Sequence, residues 1–417
     1  MEYKHRYIQD YLAIRPKNFR AVLITGPRRS GKSTFARELL KEWGGGDYVQ
    51  FDTPADQVRF LDDPEGMIRA LRKPAVLDEV QNIPEVFNYL KKVIDEDPEG
   101  PCDYILTGSQ QFNMMRGVTE SLAGRVMIKE LLPFCYAESR RANSKIIEGN
   151  FLKLLDLSSD LTVNNNKFTK SDVLEAIVMG GYPPVARAAN SQEREEWFNS
   201  YLETYVQRDI RALSNIQNLA QFSRFVQLVA GRTATIINYS ELGKDIGVNY
   251  KTAQHYLSLL SASYIWKSLP PYYQAGSERR VTKSPKGVFL DTGLAVYLTG
   301  VSPTGLERNQ LYGSMFESFV ITELLKLTSA FGKRVNFTHF RMGERLEVDL
   351  VLEYGNRIIP IEIKGSSTID SKWGKGIKAL RDVTGAAQDS TGYVMSLHPY
   401  VVSLGSGVVN IPVQCFL

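Results

Sequence analysis

The sequence predicts an α/β chain: a parallel sheet with crossover helices first, a helical middle region next, and a second α/β segment at the C-terminal end. Three observations predict it. Short apolar runs alternate with amphipathic stretches in the first third, the pattern of strands joined by crossover helices. From Trp197 to Val229 the chain is rich in aromatics and contains neither Pro nor Gly, so nothing interrupts a helix. From about Leu306 strand and helix patterns alternate again.

Composition bounds what such a chain can be. Its 417 residues suffice for roughly two to four domains. A hydrophobic content of 43% with 23% charged residues is a globular balance that excludes a mostly disordered chain. The net charge of +4 is too small to argue nucleic-acid binding by the whole chain, so any basic footprint must be local. Cys102, Cys135 and Cys415 have neither metal-ligand nor disulfide-framework spacing, which fits a reduced, cytoplasmic compartment. The polar stretch Met1 to Asp10 is no signal peptide, and no apolar run approaches the roughly 20 residues of a membrane span. A soluble protein without a membrane partner is expected.

Arg20 to Thr25 reads as the first buried strand and Ser33 to Trp43 as the helix after it, with Phe35, Leu39 and Leu40 at helical spacing. Between them lies Gly26-Pro27-Arg28-Arg29-Ser30-Gly31-Lys32-Ser33, followed by Thr34, which fits G-x-x-x-x-G-K-[ST] without a mismatch. The glycines let successive backbone N–H groups face a β-phosphate. Lys32 brings a cation to the β and γ oxygens, and the Ser33 hydroxyl completes a Mg²⁺ shell. The helix aims its positive end at the same phosphates. ATP and Mg²⁺ are therefore the expected ligands, in a P-loop NTPase sheet.

Ala75 to Leu77 is a second buried strand, and Asp78-Glu79 follow it, 46 residues after Lys32. Asp78 is expected to hold Mg²⁺ through water and Glu79 to polarise the attacking water. Two adjacent acids favour hydrolysis over mere nucleotide sensing, because one remains once the metal is held. Tyr104 to Thr107 is a third strand. Ser109 beyond it either senses the γ-phosphate or caps the strand end. Arg125 is a candidate arginine finger, with a structural or solvated role as the alternative.

These motifs, with Leu77 to Gln81, Leu106 to Ser109 and Leu122 to Arg125, resemble a group of prokaryotic AAA+-type ATPases that end in a domain of unknown function 4143. Tyr201 to Ile210 resembles that family's helical signature, and Ser284 to Gly293 its linker into the last domain. The resemblance implies an ATPase core, a winged helix and a nuclease-like C-terminal domain. Gln110-Gln111 departs from the small polar residues usual there, which bears on the sensor role of Ser109.

Tyr239 to Val248 reads as a short helix with Ser240 as N-cap and Gly247 as terminator, and Asn249 to Leu260 as its partner. Ala253, Leu257 and Leu260 are expected inside; Tyr250, Lys251, Gln254 and His255 face out, as groove-reading residues do. Lys244 and Lys251 are balanced by Glu241 and Asp245. The following stretch is more basic: Lys267, Arg279, Arg280, Lys283 and Lys286 oppose only Glu278, with Tyr272 and Tyr273 among them. DNA contact and protein packing both remain open for this module.

Three features of the last segment fit a restriction-endonuclease-like site. Glu317 lies on the apolar face of a helix, Tyr312 to Leu327, where an unpaired carboxylate is costly. Asp349 alternates with Val348, Leu350 and Leu352 on a strand. Glu362 and Lys364 share one strand face, with Ile359, Ile361 and Ile363 on the other. In this reading Asp349 and Glu362 ligate Mg²⁺, Glu317 assists, and Lys364 orients or deprotonates water for phosphodiester cleavage. The alternative is a decayed fold whose acids pair with Lys364 and nearby Arg residues. Pro360 suits only an edge strand or a position before the ladder begins. Lys372, Lys375, Lys378 and Arg381 form either a phosphate track or one solvated face.

The expected division is an ATPase core at 1–135, a helical lid or linker at 136–235, a winged helix-turn-helix at 236–300 and a nuclease domain at 301–417. The expected protein is a cytoplasmic homo-oligomer that couples ATP turnover to DNA, branched or single-stranded. The alternative is a scaffold or signalling ATPase whose last domain binds protein.

Overall fold

β1 (Ala21–Thr25) is buried along its whole length because both of its faces are covered. Ala21 and Leu23 join one apolar cluster and Val22 and Ile24 the other, as period-2 alternation requires. The helix Lys32–Glu42 covers the second face with Phe35, Ala36, Leu39 and Leu40. The helix Val86–Asp95 covers the first with Val86, Phe87, Leu90, Val93 and Ile94. Truncating a ring as enclosed as Phe87 to Ala costs about 3–5 kcal/mol.

The computed structural model describes residues 3–109, 121–163, 169–205, 210, 216, 218–272, 284–343, 346–370, 372–384 and 391–417. Gln110-Gln111, the tract Asn164 to Asn166, Val206 to Asp209 of the helical signature, and Tyr273 to Lys283 of the basic stretch lie outside these residues. The chain divides into two units. One comprises residues 1–134, 262–264 and 329–332; the other comprises 135–261, 265–328 and 333–417.

The first unit holds a five-stranded parallel sheet. β2 (Tyr48–Gln50), β3 (Ala75–Asp78), β4 (Tyr104–Thr107) and β5 (Val126–Glu130) surround β1 in the order β2-β3-β4-β1-β5. This is the parallel α/β sheet of a P-loop NTPase, with the strand carrying Asp78 separated from β1 by β4. β2 is three residues long and half-exposed, and the short apolar run of β5 passes into Lys129-Glu130, which hid both from pattern reading.

The second unit begins with helices at Ser144–Leu155, Lys170–Met179, Ser191–Thr204 and Leu219–Gly231. The helix pair Tyr239–Ile246 and Tyr250–Ala262 follows, with β6 (Thr235–Ile236), β7 (Trp266–Leu269) and β8 (Lys286–Phe289) as a three-stranded antiparallel sheet in the order β6-β8-β7. Asn238, not Ser240, caps the first of the pair, accepting from Ser240 N and Glu241 N at 3.1 and 3.3 Å. Gly247 ends it in the left-handed region, φ 73°. Ala253, Leu257 and Leu260 are buried, and Tyr250, Lys251, Gln254 and His255 are exposed.

The last sheet has six strands: β9 (Asn336–Met342), β10 (Leu346–Tyr354), β11 (Arg357–Lys364), β12 (Gly392–Ser396), β13 (Val402–Gly405) and β14 (Val408–Pro412), in the order β13-β14-β12-β11-β10-β9. β11 is interior, antiparallel to β10 and parallel to β12. Pro360 is tolerated there because the ladder to β12 starts one residue later, at Ile361.

Candidate functional site

The turn after β1 is built to leave backbone donors facing outward. Gly26 has φ 143°, and a Cβ there would lie 2.3 Å from the Leu131 carbonyl, so only glycine lets the loop pass β5. Arg29 and Gly31 also have positive φ, at 61° and 94°. Arg6, itself buried, holds the loop from behind, donating to Ser30 O at 3.2 Å and Leu132 O at 2.7 Å. The helix Lys32–Glu42 starts from Gly31 with no side-chain cap and no acid in its first turn, so its N–H groups keep their positive potential. Lys32 is buried, with Nζ 3.1 and 2.8 Å from the carbonyls of Gly26 and Pro27. Ser30 Oγ is buried without a partner among the described residues, Arg28 is half-buried, and Arg29 and Thr34 are exposed. A loop with a glycine-only approach, an uncapped helix start and an inward lysine fits a phosphate chain.

Asp78, fully buried at the end of β3, collects three hydroxyls. It accepts from Ser33 Oγ at 3.1 Å, and from Thr107 Oγ1 and Tyr48 Oη. Burial and then the Asp78 carboxylate push the Tyr48 phenol well above its ordinary pKa, so it stays a donor. Ser33 and Asp78 thus fit a Mg²⁺ shell, one oxygen from each side of the cradle. Thr107 and Tyr48 are partners that pattern reading missed. Both stand at the ends of strands neighbouring β3, and nothing local in the sequence marks them.

Glu79, half-buried, holds φ 58°, ψ 44°, a left-handed conformation that costs a non-glycine residue about 1 kcal/mol. Its N–H donates to Thr107 Oγ1 at 3.2 Å, and its carboxylate accepts from Gln81 Nε2. Gln81 also reaches Ser109, at 3.4 Å from both its N–H and its hydroxyl. The structure therefore joins Glu79, Gln81 and Ser109 beside Asp78.

Arg125 is not part of this group. It precedes β5, and its carbonyl accepts from Arg20 N and Ala21 N at the start of β1, the end of the strands opposite the cradle. Its guanidinium pairs bidentately with Asp95. It cannot reach the cradle of its own chain.

The C-terminal acids come together, though around ammonium groups. Lys286, the first residue of β8, is 1% exposed. Its Nζ lies 2.7 Å from Glu317 Oε1, 2.7 Å from Glu347 Oε1, 3.7 Å from Asp349 Oδ1 and 3.4 Å from the Asp349 carbonyl. A bulge in the β9–β10 pairing between Val348 and Val351 aims the Asp349 side chain. Asp349 Oδ2 accepts from Ile363 N at 2.7 Å and Lys364 Nζ at 3.4 Å, and Lys364 lies 3.8 Å from Glu362 Oε2. Glu362 Oε1 accepts from Gly376 N at 3.1 Å, at the start of the helix Lys375–Thr384. A Cβ at Gly376 would lie 1.8 Å from the Glu347 carbonyl, so glycine alone allows that approach.

Burial pulls the Lys286 pKa down, but Glu317, Asp349 and Glu347 outweigh it and hold the ammonium well above its ordinary value. Burial pushes Glu317 up, against the pull of Lys286, and Glu362 shifts the same way for the same first cause. Burial also lowers Lys364, yet Asp349 and Glu362 leave it raised.

One sequence expectation is corrected here. Lys286, read as one cation of a basic stretch, is the counter-ion of the acids. The expected set Glu317, Asp349 and Glu362 is gathered around Lys286 and Lys364. Glu347, two residues before Asp349 on the same strand face, was legible by alternation; Lys286 was not. Arg381 is likewise buried, donating to the carbonyls of Ser406 and Gly407, while Lys372, Lys375 and Lys378 are exposed.

Residues 18–139 match the model of an AAA domain, 170–305 a domain of unknown function (DUF8612) and 312–416 a domain of unknown function (DUF4143). The uncharacterized protein Rv2008c of Mycobacterium tuberculosis is 29% identical over 350 residues, 83% of this chain and 70% of its own. The uncharacterized protein MJ1544 of Methanocaldococcus jannaschii is 19% identical over 259 residues, covering 58% and 55%. Among solved structures, the RuvB Holliday junction branch migration motor of Thermotoga maritima aligns with 61% of this chain and 83% of its own, at 16% identity and a TM-score of 0.28. The Aeropyrum pernix ORC1 protein in complex with DNA aligns with 70% and 91%, at 14% identity and a TM-score of 0.26. These two scores are too low to carry any property across. Among the described residues no helix is long and apolar enough to cross a membrane. The chain carries a P-loop AAA domain at its N-terminal end and the domain of unknown function 4143 at its C-terminal end.

Proposed function

We propose that this protein is a Mg²⁺-dependent ATPase that couples ATP turnover to contact with nucleic acid, acting as a homo-oligomer in the cytoplasm. The observation that supports it is the hydroxyl-ringed Asp78 facing Ser33 across a glycine-only loop. Gly26 to Thr34 would wrap the phosphates, with Lys32 moving from the Gly26 and Pro27 carbonyls to the β and γ oxygens. Ser33 and Asp78 would hold Mg²⁺, which supplies charge neutralisation on the phosphates. Glu79, held by Thr107 and Gln81, would take the proton of the attacking water, and Ser109 would stand at the γ-phosphate end. An arginine finger, if Arg125 supplies one, would come from a neighbouring subunit.

The helix pair at 239–262 would make the nucleic-acid contact. Arg232 lies 3.6 Å from Glu241 and also pairs with Asp245, so it offsets one of the two acid charges that balance Lys244 and Lys251 and leaves the group at +1. That changes the balance of the outer face in favour of phosphate. The division at 1–135, 136–235, 236–300 and 301–417 is the frame for this reading.

The test is twofold. Lys32→Ala should abolish nucleotide binding while Glu79→Gln keeps binding and loses turnover. The wild type should also bind linear, branched or single-stranded DNA with an affinity that falls as salt rises; no salt-sensitive binding in any nucleotide state would sink the DNA half.

A second reading of the C-terminal domain, as a protein-interaction module without nuclease activity, is favoured over cleavage by Asp349, Glu362 and Lys364. The observation behind it is the Lys286 ammonium among the acids. Nuclease assay of the wild type and Asp349→Ala with Mg²⁺ and Mn²⁺ decides it.

A further inference from the structure

Lys286 reaches the carboxylate centre from a different element than any of the acids. Glu317 comes from the helix Tyr312–Ala330, Glu347 and Asp349 from β10, and Glu362 from β11. β8 is the middle strand of its sheet, where Lys286 pairs with Ile236 of β6 and Leu269 of β7. It has no room to slide: a Cβ at Gly287 would lie 1.8 Å from the Trp266 ring. The chain before it is pinned to β9. His339 N donates to Pro270 O at 3.0 Å, Tyr272 N donates to His339 O at 2.6 Å, and the His339 ring Nε2 lies 3.1 Å from Ser284 O. The ammonium is therefore delivered to one place, by a sheet, rather than by a flexible surface side chain.

What surrounds that place is an oxygen shell. Three carboxylates and a backbone carbonyl have atoms within 3.7 Å of Nζ. Hard divalent cations take such donors, at shorter distances. The charge balance decides which cation the centre can accept. Glu317, Glu347, Asp349 and Glu362 face Lys286, Lys364 and Arg341, the last 4.0 Å from Glu347. With Lys286 in place only one negative charge is unbalanced, and the shell is filled. Without it, two negative charges face an emptied oxygen shell.

We propose that Lys286 is the resident cation of this centre: its ammonium stands where a divalent metal would have to stand, and removing it converts Glu317, Glu347 and Asp349 into a divalent-cation site. The inference rests on the second reading of the C-terminal domain and deepens it, giving the physical reason for the absence of a cleavage site. A lone buried charge left by removing one partner is strongly destabilising, so the same substitution makes the fold depend on an added cation.

The experiment is a Mn²⁺ titration of the full-length, nucleotide-free protein, followed by the electron paramagnetic resonance of free Mn²⁺ up to 5 mM, about the top of a useful range for weak sites. Wild type and Asp349→Ala should bind alike, any weak site at Ser33 and Asp78 being common to both. Lys286→Ala should gain one site at least tenfold tighter than any in the wild type, and the double variant K286A/D349A should lose it. In thermal melts, Mn²⁺ should raise the Tm of Lys286→Ala and leave the wild type unmoved at this centre. A Mn²⁺ site in the wild type that disappears in Asp349→Ala overturns the inference, as does a folded Lys286→Ala that binds no more tightly than wild type. Should Lys286→Ala fail to fold with or without Mn²⁺, the wild-type comparison decides alone. DNA cleavage by the wild type that Asp349→Ala abolishes overturns the underlying reading instead, whatever the titration of Lys286→Ala shows.

Discussion

The Ser33 hydroxyl donates to Asp78 Oδ1 at 3.1 Å, joining the first helical turn after the phosphate loop to the end of a strand that is not its neighbour in the sheet. Replacing Asp78 with Asn keeps the size and the hydroxyl partners but removes the charge. ATP turnover is expected to fall by about 100-fold, with the Mg²⁺ concentration for half-maximal activity raised, measured by phosphate release across a Mg²⁺ series.

Glu79 sits in the left-handed region with its carboxylate on Gln81. Glu79→Gln should leave nucleotide affinity within about threefold and lower turnover by about 100-fold or more, the range that general bases supply. Equilibrium binding of a fluorescent ATP analogue beside steady-state hydrolysis checks both. Normal hydrolysis by this variant would remove Glu79 from the role of base.

Arg125 pairs with Asp95 at the end of the strands opposite the phosphate loop. Arg125→Ala should cost under about 1 kcal/mol in chemical denaturation, as exposed pairs do, and should leave turnover of dilute, monomeric protein within about twofold of wild type. Loss of turnover in that monomer would place Arg125 in its own site, against the geometry.

His339 is fully buried, and burial, followed by the nearby Lys286 charge, pushes its pKa down from 6.5 to about 4. The unfolded chain therefore takes up this proton before the folded one. The stability His339 contributes is present above pH 6.5 and is lost as pH falls toward 4. Urea unfolding at pH 7 and pH 4 should show the wild type losing about 3 kcal/mol more than His339→Asn over that window. Equal losses would mean that the imidazole is already charged in the fold.

On the helix pair, Lys251 and Lys244 are exposed beside Glu241 and Asp245, which share the single positive charge of Arg232. Lys251→Glu should weaken DNA binding and lower the slope of log affinity against log salt by about 1, measured by fluorescence anisotropy. An unchanged slope would assign this face to protein packing.

The geometry of the candidate phosphate site was largely legible in the sequence because its chemistry is local. Gly26, Gly31, Lys32 and Ser33 are dictated by one turn and the first helical residues. Asp78 and Glu79 announce themselves at the end of an apolar run. Helix faces were equally legible: Ala253, Leu257 and Leu260 turned inward as 3.6-residue spacing demands. Tertiary structure alone decided what non-local charge does. Tyr48 and Thr107 reach Asp78 only because β2 and β4 lie beside β3. Lys286 looked like one more cation in a basic stretch, and the pairing of β8 with β6 and β7 buries it among Glu317, Glu347 and Asp349. A sequence shows how many charges a segment carries. Whether an ammonium meets water or a ring of carboxylates depends on which strands pair, and at this centre that pairing separates a lysine-filled shell from a metal-binding one.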